Sequence, residues 1–70
     1  MRRVYRQQFI AGACACIRQD PTLTPLAALH TWAQGQGLRR AIWTTTDEAT
    51  QHALAVAVQR ALRARQIPPR

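Results

Sequence analysis

Residues 45–65 read TTDEATQHALAVAVQRALRAR, and every level of that string points to one long helix from about Thr46 to Arg65. Thr45-Thr46-Asp47-Glu48 has the S/T-x-x-E form of a capping box, which closes free N–H groups of a first turn reciprocally. Two acids sit where the helix dipole is positive, and Arg60, Arg63 and Arg65 sit where it is negative. The stretch between is rich in good helix formers and free of Gly and Pro. At about 100° per residue, Ala53, Leu54, Ala57, Val58, Ala61 and Leu62 share one wide apolar face. Glu48, His52, Gln59 and Arg63 share the opposite one. This is the core-building helix of a very small domain.

Working back toward the start, Gly35-Gln36-Gly37 is a stop and turn, and Thr24-Pro25 opens a helix with a capping hydroxyl and a proline at its first position. That helix closes at Gln34 and buries Leu26, Leu29, Ala33 and Trp32, with His30 beside the stripe. Between the turn and the long helix, residues 38–43 fit two readings. As a short helical turn they put Leu38 and Ile42 inward, with Arg39 and Trp43 on a neighbouring face. As a strand they alternate Leu38, Arg40 and Ile42 against Arg39, Ala41 and Trp43. The helical turn is favoured. From Gln7 another helix shows in Phe9, Ile10, Ala13, Cys16 and Ile17, with Arg6, Gln8, Ala15 and Gln19 toward water. Gly12 costs that helix about 1 kcal/mol relative to Ala and so marks a close backbone approach. Asp20-Pro21 ends it. Val4-Tyr5 fits either the first turn of this helix or an extended basic arm over residues 1–6. The tail from Gln66 onward, with Pro68-Pro69, is expected to fray. The expected fold is therefore all-α: one domain of three helices over residues 1–70, with a basic arm and an extra helical turn near 38–43.

Seventy residues bury only about 60% of their unfolded surface, so stability is marginal. The hydrophobic fraction of 47% is inflated by alanine, which implies a thin core and closely approaching helices. Ten basic residues, all Arg, face three acids, for a formal charge of +7 and a sequence pI near 11.6. Arg stays charged, forks onto carboxylates and phosphates and stacks on aromatics, so an acidic protein or a nucleic acid is the partner class indicated. Cys14 and Cys16, two apart on a helix, point to nearly opposite sides and cannot pair, which suits free thiols in a reducing cytosol. The apolar run after Arg2-Arg3 is too short for a secretion signal, and no stretch nears the roughly 18 apolar residues of a membrane span.

Chemistry-bearing patterns are missing. Asp47 and Glu48 are adjacent cap residues, His30 and His52 lack metal-module spacing with the cysteines, serine is absent, and Gly35-Gln36-Gly37 is too short to cradle phosphate. No enzyme, cofactor, metal or small-molecule substrate is expected. The candidate partner-binding residues form three basic groups. Arg2, Arg3 and Arg6 surround Tyr5, Arg39 and Arg40 precede Trp43, and Arg60 and Arg63 lie near the end of the long helix. Arginines interleaved with an aromatic suit phosphate contact with stacking, or docking on an acidic protein with an aromatic anchor. The first group has no structural use in an arm that lacks core residues, and so is the strongest pointer.

Two function classes follow. A DNA-binding helix-turn-helix would pair the helices around Gly35–Gly37, although Asp47 and Glu48 would repel phosphate if the long helix entered the groove. A protein-binding effector would clamp a larger machine with a basic arm and helical body. The opening Met1-Arg2-Arg3-Val4-Tyr5-Arg6-Gln7-Gln8-Phe9, on a small, lysine-free basic chain, resembles the small RNA-polymerase-binding transcription regulators of Xanthomonas phages. The resemblance lies in size, composition and N-terminal character, and it transfers no functional residue. It implies a cytoplasmic effector that binds host RNA polymerase near the RNA exit channel, inhibiting initiation or termination, with nascent nucleic acid close by. Anti-CRISPR-like protein inhibitors would present the same features.

Overall fold

The computed structural model describes the backbone of residues 1–66 and the side chains of residues 1–64. The fold is all-α, with four helices among the described residues: α1 (Arg3–Gln19), α2 (Pro25–Gln34), α3 (Leu38–Thr45) and α4 (Glu48–Gln66). The extra turn expected near 38–43 is thus a helix in its own right, and the strand alternative falls away. Gln66, expected in the frayed tail, belongs to α4, while residues 67–70 lie outside the described residues.

The extended arm is also corrected. The chain becomes helical at Arg3, and the Arg6 amide already donates to the Arg2 carbonyl at 3.0 Å. Nothing in residues 3–8 breaks a helix, and Tyr5 lies one turn before Phe9, on the side that packs against the core. The expected "arm" therefore carries a core-contacting residue. At its other end α1 stops at Gln19, as Asp20-Pro21 requires, and the Asp20 carboxylate accepts from the Thr22 amide (3.1 Å) and hydroxyl. Thr24 caps α2 through its hydroxyl, which accepts from the Ala27 amide at 3.2 Å.

The α4 start differs from the capping box. Asp47 is the cap: its carboxylate accepts from the Thr50 amide (3.1 Å) and hydroxyl, and the Gln51 amide donates to its carbonyl. The hydrogen bonds from Thr50 hold the Asp47 carboxyl below its ordinary value of 3.8. Thr45 and Thr46 instead finish α3, turning their hydroxyls back onto the Ala41 and Ile42 carbonyls. A string of threonines before two acids offers several N-cap registers, and α3 has claimed all three threonines.

α1 contributes Phe9, Ala13 and Cys14 to the buried core; α2 adds Ala28, Leu29 and Ala33; α3 gives Trp43 alone; α4 gives Leu54 and Val58. Leu26, Ile10, Ile17 and Leu62 close its edges. With so few large residues, closeness substitutes for bulk. At Gly12, which is fully covered, a Cβ would fall inside the indole of Trp32, so the predicted close approach is present. Trp32 in turn meets Phe9 edge-on, with ring centroids 5.0 Å apart. On α4 the buried arc is rotated from the expected one. Leu54, Val58, Ala61 and Leu62 face in, but Ala53 is exposed and Ala55 takes the inner place.

Candidate partner-binding surface

α3 is held to the body by side chains rather than by broad packing. Trp43 is 4% exposed and tilts against Phe9, with centroids 5.5 Å apart. Its indole N–H donates to His30 Nδ1 at 2.8 Å, and the Gln51 side-chain amide donates to its carbonyl at 3.1 Å. One turn earlier, Arg39 donates through Nε to Gln8 Oε1 of α1 at 2.6 Å. Arg39 and Trp43, four apart, therefore face the body together with Ile42, which packs against the core as expected. Leu38, expected inward, is turned out and is 80% exposed. Gln8, expected toward water, is half-buried as Arg39's partner.

These contacts re-sort the three basic groups. Arg2, Arg3, Arg6 and Arg40 are exposed, and the Arg39–Gln8 bond ties the α3 pair to the first turns of α1. Two groups that lie far apart in sequence are thus brought onto neighbouring elements. Arg60 and Arg63 are also exposed, but on the second half of α4. The two aromatic residues are less accessible than the exposed arginines. Trp43 is a core residue that the sequence assigned to the partner surface, and Tyr5 is half-buried against the core. Apolar groups that the sequence did not mark as partner contacts are more exposed: Leu38, Val4 at 53% and Met1 at 46% exposure. Their signal was faint, since a helical period alone does not say which side of a two-turn helix meets the body.

Two cavities of about 470 Å³ each flank these elements. One is an open groove where Met1 and Arg6 of α1 meet Ala49 and Ala53 of α4, with Leu54 as its floor. The other brings His30 together with Glu48, Gln51 and His52. His30 and His52 line this one cavity, but the indole of Trp43 occupies His30 Nδ1 and places the neutral ring's hydrogen on Nε2. That leaves His30 without a free lone pair for a metal, and no three His, Cys, Asp or Glu side chains converge on one among the described residues. Cys14 is buried, Cys16 half-buried, and both are free thiols. No described helix is long and apolar enough to cross a membrane. No family model, no curated protein and no solved structure matches the chain.

Proposed function

We propose that the chain is a non-enzymatic basic effector that binds host RNA polymerase and regulates transcription, inhibiting initiation, termination or both. The observation that supports it best is the exposure of Arg2, Arg3 and Arg6 at the start of α1 and of Arg40 on α3, two helices that the Arg39–Gln8 bond links. Arginines massed on a body with three acids favour an acidic macromolecule by long-range attraction. Polymerase is the acidic partner that the N-terminal resemblance selects, and contact with nascent RNA would be a subsidiary use of the same charges.

A helix-turn-helix reading on duplex DNA keeps one specific support. Gly35–Gly37 is a three-residue link between α2 and α3, with Gly37 at φ +56, and α3 exposes Arg40 and Ala41. It is the weaker reading, because α3 has only eight residues and turns Leu38, at 80% exposure, to its outside.

The test is transcription by purified bacterial polymerase on a template with one promoter and one intrinsic terminator. Added protein should lower the yield of initiated transcripts or raise the fraction passing the terminator. The charge-reversed variant Arg3→Glu with Arg40→Glu, changed at exposed positions, should do so less. Unchanged initiation and termination at saturating protein would contradict the proposal.

A further inference from the structure

We infer that the surface shared by the first turns of α1 and the start of α3 is a docking face for an acidic protein segment that carries an apolar side chain. This deepens the polymerase reading and rests on it only for the identity of the partner.

The inference begins with Leu38. It is 80% exposed, the most exposed large apolar residue described, and it precedes two arginines at the start of α3. Its exposure follows from how α3 is fixed: Trp43 and Arg39 take the inward side, so Leu38 has no place in the core. The same Arg39 bond lands on Gln8, and Val4 lies one turn before Gln8 on α1 and is 53% exposed. Exposed Val4 and Leu38 thus lie beside the two ends of a polar clasp, with exposed Arg40 on the same short helix as Leu38 and exposed Arg2, Arg3 and Arg6 at the start of α1 adding to the field.

Charge selects the occupant. Of the three acids of the chain, Asp20 follows the far end of α1, and Asp47 and Glu48 stand at the start of α4, where the Met1 ammonium acts on the Asp47 carboxylate; neither α3 nor the first turns of α1 carries an acid of its own. A second copy of this chain would bring another formal +7 against the face, which argues against self-association there. Nucleic acid would satisfy the arginines but leave Leu38 and Val4 in contact with phosphate or water. An apolar side chain rimmed by Asp or Glu satisfies both, the usual arrangement of an apolar anchor within a charged rim.

The experiment is an NMR titration of the full chain with three probes: a helical peptide of Glu and Leu, a peptide of equal charge with Ser for Leu, and single-stranded DNA of matched charge. The Glu/Leu peptide should shift signals of Val4, Gln8, Leu38, Arg39 and Arg40, and bind more tightly than the Glu/Ser peptide. Leu38→Ser, a change at an exposed site that leaves the fold intact, should weaken it about tenfold, as expected for losing one buried leucine contact. Equal affinity for the Glu/Ser peptide or the DNA would overturn the inference, as would shifts confined to Arg60 and Arg63. The Leu38→Ser variant is then titrated against polymerase. Peptide docking on this face without polymerase affinity in the unmodified chain would support the face and overturn the polymerase reading. Polymerase binding indifferent to Leu38→Ser would overturn the face and leave that reading standing.

Discussion

Gly12 shows how one residue carries two opposed terms. In a helix interior glycine costs about 1 kcal/mol against alanine, so Gly12→Ala should stabilise an isolated α1. In the folded chain the added methyl would occupy the space of the Trp32 indole, which is itself packed edge-on against Phe9. Overpacking of that kind costs about 1–3 kcal/mol, and two rings must shift to relieve it. The net effect of Gly12→Ala should be a lower melting temperature, with Trp32 fluorescence altered in the native state. A higher melting temperature would show that α1 and α2 stand further apart than described. That glycine was legible as a close approach from sequence alone, because no turn or positive φ accounts for it. The partner of the approach was not legible, since nothing in residues 7–19 names Trp32.

At the scale of the helix, periodicity and caps did most of the work. The all-α class, the ends of α1 and α2 at Asp20, Thr24 and Gly35, and the burial of Phe9, Leu29, Leu54 and Val58 all followed from local rules. The misses share one cause, which is rotation of a helix about its own axis. Ala53 and Leu38 were placed inward because apolar residues at helical spacing define an arc, and an alanine-rich arc has diffuse edges. What fixed the rotation was non-local: Arg39 on Gln8, Trp43 on His30, and Ala55 rather than Ala53 against the core. The same rotation buries Trp43 and leaves Leu38 exposed. A pair of substitutions on α4 tests the rotated arc. Leu54→Ala, at 1% exposure, should cost about 2–5 kcal/mol. Val56→Ala, two residues on and 45% exposed, should stay within about 0.5 kcal/mol. Denaturant melts giving equal losses would mean that the buried face of α4 is misplaced. The extension of α1 to Arg3 matters here too. Removing residues 1–6 would take away a helical turn and the Tyr5 contact with the core, so charge reversal is the cleaner probe of that region.

The whole molecule is a thin core in a strongly basic shell. Among the described residues, Phe9, Leu29, Leu54, Val58 and Cys14 have the largest fully buried side chains, with Trp43 nearly buried, and alanines fill the gaps between helices. Little apolar area is spent per helix, so a partner that covers Leu38 and Val4 would add stability by binding only the folded form. The charge does not distinguish protein from nucleic acid, but its salt dependence does. Contacts to DNA phosphates lose about 0.9 logarithmic units of affinity per contact for each tenfold rise in salt. An interface with an apolar anchor retains affinity when the charges are screened, because burial of leucine and valine is not electrostatic. The decisive measurement is therefore one titration of the chain against purified RNA polymerase and against duplex DNA, repeated across a range of salt. The account predicts tight binding to polymerase that persists at near-physiological salt, with DNA binding weak and steeply salt-labile. Tight, sequence-selective binding to naked DNA with no measurable affinity for polymerase would contradict it.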